Sequence, residues 1–73
     1  MLETIFPRHL KQLREDSGLT QIELGEAIGV DSRTIRRWEK GDRWPDPGNI
    51  EALAKALGVR IRDLFIFPDK PDL

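Results

Sequence analysis

The sequence contains no cysteine and one histidine, His9. Without thiolates, neither a disulfide nor a thiolate metal site can staple the fold, and one imidazole cannot build a zinc site by itself. No apolar run approaches the roughly 20 residues that a bilayer-spanning helix requires, and no signal-peptide pattern opens the chain. A soluble, intracellular, cytoplasmic protein is expected, with no membrane partner. Period-two alternation is absent too, which argues against strands. Catalytic equipment is missing: there is no cysteine, no second histidine and no glycine-rich phosphate cradle. The consecutive acids Glu15 and Asp16 diverge on a helix rather than converging as an acid–base pair. Neither enzymatic activity nor a metal or cofactor is expected. Nor is there an excess of charge of one sign, the net charge being −1.

A chain of 73 residues is one small domain. It buries only roughly 60% of its unfolded surface and needs a well-packed core or a partner subunit. The distribution of charge says more than its sum. In "DSRTIRRWEKG", residues 31–41, arginines crowd around one isoleucine and one tryptophan. Placed on a helix, Ile35 and Trp38 share one side while Ser32, Arg33, Arg36, Arg37 and Lys40 spread over the other. Arg43 extends the cationic stretch, and acids elsewhere (Glu15, Asp16, Glu23, Glu26, Asp69, Asp72) restore the balance. A helix with an apolar back and a cationic front suits an anionic surface.

The apolar positions recur at three and four, and the punctuation predicts five helices. The first runs from about Pro7, suited to a first helical turn, to Ser17, with Phe6, Leu10 and Leu13 as its apolar stripe. "TQIE" is a capping box of Thr20 and Glu23 that opens a second helix through Leu24, Ala27 and Ile28 to Gly29. Only Val30 then precedes Asp31, an N-cap for the third helix, which ends near Lys40 at Gly41. Two helices joined by a glycine-containing turn of about three residues match a helix-turn-helix. Asp46 and Pro47 start a fourth helix, with Ile50, Leu53, Ala54 and Leu57 facing inward, ending at Gly58. A short fifth helix holds Ile61, Leu64 and Phe65, and a Pro-broken polar tail follows. His9 is expected to face solvent.

The segments "GLTQIELGEAIGV", "TIRRWEKG" and "IEALAKALGV" at these spacings resemble the Xre/Cro-type family, the DNA-binding domain of lambdoid phage repressors and many bacterial regulators. The resemblance covers residues 8–65. It implies an all-α, compact five-helix bundle of the lambda repressor-like type, with the third helix in the DNA major groove. Ser32, Arg33 and Arg37 are then placed to meet base edges, where an arginine fork can grip guanine; Arg36 points the same way and could equally take phosphate. The family places a phosphate-binding glutamine where Gln21 stands. Lys40 and Arg43 flank the end of the reading helix as phosphate clamps, and Arg14 with Glu39 resembles the family's orienting ion pair. Two positions depart from the pattern. Gly25 stands where the family has alanine, at a helix-propensity cost of about 1 kcal/mol. Arg60 stands where it has a Ser or Thr cap, worth about 1 kcal/mol.

The expected function is sequence-specific binding of double-stranded DNA by a transcriptional repressor. An antitoxin or a restriction–modification controller on the same fold is the first alternative, and a helical protein-interaction module without DNA binding is the second. The expected layout is an N-terminal arm at 1–6, the helix-turn-helix domain at 7–67 and a tail at 68–73. A homodimer is expected, paired through Ile66 and Phe67 of "LFIFP". Any protein partner, such as a toxin or RNA polymerase, is unknown. Trp44 has three candidate roles: covering the loop, touching the DNA backbone or lying between subunits.

Overall fold

The computed structural model describes the backbone of residues 2–65 and the side chains of residues 6–65. These form four α-helices: α1 (Leu2–Asp16), α2 (Gln21–Ile28), α3 (Ser32–Lys40) and α4 (Pro47–Leu57). A 3-10 turn at Ile61–Leu64 follows, and there is no strand among the described residues. Ile66, Phe67 and the expected tail lie outside the described residues.

Local chemistry sets the boundaries of α2, α3 and α4 where the sequence predicts them. The Thr20 hydroxyl accepts from the Glu23 N–H at 3.0 Å, and the Glu23 carboxylate accepts from the Thr20 N–H at 2.9 Å, the reciprocal pair of a capping box. Gly29 leaves α2 in the left-handed conformation, φ 86°, which needs no Cβ. Two residues later the Asp31 carboxylate accepts from the Thr34 N–H at 2.9 Å and starts α3. Asp46 repeats the device for α4, accepting from the Asn49 N–H at 2.9 Å, with Pro47 at the first helical position.

Three expectations need correction. Helix α1 begins at Leu2, so Pro7 lies inside it and residues expected as an arm are helical. As the sixth residue of the helix, Pro7 lies past the four N–H groups left unpaired at a helix start, so it removes the bond that an N–H there would make to the Glu3 carbonyl. In place of a fifth α-helix there is a 3-10 turn of 4 residues. Arg60 offers its N-terminus no side-chain acceptor, and the Asp63 carboxylate, taking the Arg60 N–H at 3.1 Å, holds only one turn. Ile61 stays 45% exposed, because so short a turn buries little beyond Leu64.

His9 is the third correction. It is only 3% exposed, and its Nε2 lies 2.7 Å from the Asp63 carbonyl oxygen. A carbonyl can only accept, so Nε2 carries the proton and donates. His9 sits three residues after Phe6 and one before Leu10, inside the apolar stripe of α1.

The core gathers Phe6 and Leu10 from α1, Leu24 from α2, Ile35 and Trp38 from α3, Leu53, Ala54 and Leu57 from α4, and Leu64. Helix α3 packs on both α1 and α2, while α4 packs on α2 and on the 3-10 turn. Fully burying a side chain of this size contributes about 1.5–3 kcal/mol. Ile35 and Trp38 therefore fix which way α3 turns its other side.

Candidate nucleic-acid interface

Arg33, Arg36, Arg37 and Lys40 on α3 are all exposed, and Ser32 at its start is half-buried. At 100° per residue these positions share an arc of about 140°, opposite Ile35 and Trp38. Among the described residues, neither these cations nor Arg43 takes part in an ion pair. Asp31 sits at the same end, but its carboxylate is engaged. The Thr34 hydroxyl donates to it at 2.7 Å. With the Thr34 backbone N–H, this holds the Asp31 pKa below its ordinary value of 3.8, Arg33 and Arg37 contributing less. The outward face of α3 is thus a row of cations without an ion-pair partner among the described residues, on a helix capped at both ends.

Inward, the same helix carries one acid, Glu39, whose side chain is 3% exposed. Arg14 grips it with both arms of its fork: Nε to Oε2 at 2.5 Å and Nη2 to Oε1 at 3.2 Å. The remaining arm, Nη1, donates to the Leu19 carbonyl at 2.8 Å. The hydrogen bond to Glu39 raises the Arg14 pKa above its ordinary value, outweighing the opposing effect of burial. A guanidinium and a carboxylate removed from water require this degree of hydrogen bonding. The expected pairing of Arg14 with Glu39 is present in the geometry, and it ties α1 to the last turn of α3.

Gln21 joins this cluster, its Nε2 donating to Glu39 Oε1 at 3.0 Å. Sequence reading set Gln21 apart from Arg14 and Glu39, since nothing in its spacing reveals that the first turn of α2 lies against the last turn of α3. Helix-turn-helix packing was the available signal, because it brings those two ends together.

Beyond α3 the chain turns at Gly41, φ 83°, where a Cβ would come within 3.4 Å of the Pro7 ring. Trp44 then stacks on Phe6, with ring centroids 4.9 Å apart, while remaining 45% exposed. Phe6 in turn stacks on Phe65 at 5.0 Å. Of the roles considered for Trp44, covering the loop is the one this stack fulfils. A shallow cleft of about 250 Å³ opens beside it, lined by Thr34, Arg37, Arg43, Trp44 and Asn49 among others. Arg43 and Arg37 are thereby brought together at one end of the cationic face. Gln21, on α2, does not line this cleft and is instead bonded to Glu39.

The close approach of α2 and α3 explains Gly25. A Cβ at this position would lie 2.5 Å from the Val30 carbonyl oxygen, and that backbone oxygen cannot swing aside. The Gly25 carbonyl also accepts the N–H groups of Gly29 and Val30, at 2.8 and 2.9 Å. Glycine here is what lets the turn fold so tightly against its own helix.

Comparison with known proteins agrees with this geometry. The helix-turn-helix family profile matches residues 10–64. The phage CTXphi transcriptional repressor RstR of Vibrio cholerae is 37% identical over 60 residues, covering 82% of this chain and 54% of RstR. The restriction–modification controller protein C.AhdI of Aeromonas hydrophila superposes with a TM-score of 0.82 at 35% identity, covering 86% of this chain and 96% of that one. The P22 c2 repressor, solved in complex with a synthetic operator, gives 0.80 at 28% identity, covering 84% and 92%. The chain spans 44%, 29% and 42% of the length of some curated regulators it matches, and 94% of another. Given the profile match, the turn chemistry and the packing of α2 on α3, the chain belongs to the helix-turn-helix family, of the Xre/Cro type, whose members are DNA-binding transcriptional regulators.

Proposed function

We propose that the protein is a sequence-specific repressor that lays α3 in the major groove of double-stranded DNA and acts as a homodimer in the cytoplasm, without catalysis. The observation that carries this reading is the outward face of α3, where exposed arginines have no carboxylate partner among the described residues while the inward charge of the same helix is fully bonded. Ser32, Arg33, Arg36 and Arg37 are assigned to base edges, with a bidentate arginine–guanine contact worth about 1–3 kcal/mol of discrimination. Gln21, Lys40 and Arg43 are assigned to phosphates, which supply most of the affinity but no sequence information.

Dimerisation follows from information content. One reading helix covers too few base pairs to compete against a genome of other sites, and two-fold symmetry doubles the site. The pairing surface is assigned to Ile66 and Phe67 on the sequence pattern alone. The similarity to C.AhdI keeps a controller role beside the repressor role, and the neighbouring genes distinguish them.

Selection of bound sequences from random duplex DNA tests the proposal. The expected result is one enriched motif of two symmetric half-sites, bound with an affinity that falls steeply as salt rises. Failure to retain any duplex at low salt overturns DNA binding in favour of a protein-interaction module. An enriched but asymmetric single half-site overturns the homodimer. Sedimentation of Phe67→Asp against the unaltered protein at micromolar concentration tests the pairing surface, and an unchanged dimer rejects it.

A further inference from the structure

We infer that Glu39 is a positioning residue for the contact that α2 makes with DNA, holding the Gln21 amide in its docking orientation while it holds α3. The inference rests on the DNA-binding reading above and deepens it. A glutamine on an open helix surface samples many rotamers, and each contact it makes must first overcome that freedom. Here Gln21 is half-buried and its Nε2 is already bonded to Glu39 Oε1 at 3.0 Å. Glu39 cannot yield easily, because the Arg14 fork holds both of its oxygens. The chain just before Gln21 is held as well. The Leu19 carbonyl takes Arg14 Nη1 at 2.8 Å, and the Thr20 N–H is taken by Glu23 at 2.9 Å.

The Gln21 amide has two N–H donors and one oxygen. One donor is committed to Glu39, which leaves the other N–H for a phosphate oxygen without any rotamer search. Ordering a side chain before its ligand arrives lowers the cost of binding. Glu39, on the reading helix, thus sets the pose of α3 and the phosphate contact of α2 through a single carboxylate. The two points of attachment to DNA are coupled through one buried group.

The test uses the DNA site enriched by selection and the variants Gln21→Ala, Glu39→Gln and their combination. Glu39→Gln conserves shape but leaves one acceptor oxygen for the three donors that Arg14 and Gln21 now direct at the carboxylate, so the set cannot all be kept. Gln21→Ala should weaken binding about tenfold, the size of one hydrogen bond to a charged group. Glu39→Gln should weaken it at least as much. The double variant should lose no more than the worse single one, because both break the same contact. Ethylation interference should vanish at the same phosphate in both single variants, with the remaining footprint unchanged in Gln21→Ala and weakened less than at that phosphate in Glu39→Gln. A double variant that loses the product of the two single losses overturns the inference, as does a Glu39→Gln footprint that fades evenly at every phosphate. Should Glu39→Gln not fold, NMR of the unaltered protein decides. One Gln21 side-chain proton must exchange slowly in the free protein, and only the other must shift on adding DNA. Two protons exchanging like those of a free glutamine overturn it. Tight binding by Gln21→Ala would defeat this inference alone, whereas absence of binding by the unaltered protein would defeat the DNA-binding reading.

Discussion

Helix α3 carries charge on two faces, and the faces treat it in opposite ways. Inward, Glu39 is 8% exposed and meets Arg14 and Gln21 within hydrogen-bonding distance. Outward, Arg33, Arg36, Arg37 and Lys40 stand in water without a carboxylate partner among the described residues. A charge taken out of water must be bonded inside the molecule or the fold suffers, whereas an exposed charge contributes little to stability wherever it sits. Unpaired cations on a rigid helix are therefore available to a ligand. The difference separates the charges that hold this protein together from those offered to a partner.

Removing the inward charge should have the largest effect. Glu39→Ala leaves Arg14 buried and uncompensated, and should cost about 3–5 kcal/mol of stability, read as a lower urea or thermal midpoint. Arg14→Ala should cost about as much, and a double-mutant cycle should show strong coupling. An uncoupled pair would break the comparison at its inward side.

Gly25→Ala tests the close packing that delivers both faces. Alanine would gain about 1 kcal/mol of helix propensity. Its Cβ would meet the Val30 carbonyl oxygen at 2.5 Å, and overpacking of this kind costs about 1–3 kcal/mol. Net destabilisation in urea is the expected outcome. A more stable variant would mean that the turn opens at no cost.

Outward substitutions should reverse the pattern. Arg37→Ala should leave stability within about 0.5 kcal/mol, while affinity for the preferred site falls by about 1–3 kcal/mol and base preference relaxes at one position. Lys40→Ala should weaken all sequences alike and lower the salt slope by about 1. Equal loss of specificity in both variants would end the division between base-reading and phosphate-holding residues.

The smallest effect concerns Asp31, the N-cap residue at the start of α3. Its folded pKa is depressed by the bonds from Thr34. Its contribution is therefore present above the ordinary value of 3.8 and is lost as pH falls through the lower folded value. Asp31→Asn retains a capping acceptor. It should flatten the acid limb of the stability profile below about pH 4 and change little at neutral pH. Parallel acid limbs in the two proteins would show that the carboxylate charge is not what the cap uses.

Much of this molecule was legible because its signals are local. Thr20 with Glu23, Asp31 and Asp46 are caps whose hydrogen bonds close within three residues, so the boundaries of α2, α3 and α4 follow from neighbours in the chain. The split of α3 was legible for the same reason, since helical periodicity alone separates Ile35 and Trp38 from the arginines. The pairing of Arg14 with Glu39 was accessible only through family resemblance, being 25 residues apart in sequence. His9 was misread because its role depends on the Asp63 carbonyl, 54 residues away.

What the sequence determined by itself is where α2, α3 and α4 start and stop and which side of α3 is apolar, because those properties arise within a few residues. The tertiary structure alone decided that Gln21 shares an acceptor with Arg14, that Gly25 admits the Val30 carbonyl, and that Trp44 lies on Phe6. Each is a contact between surfaces whose relative placement depends on how the whole core closes, and no local propensity encodes that.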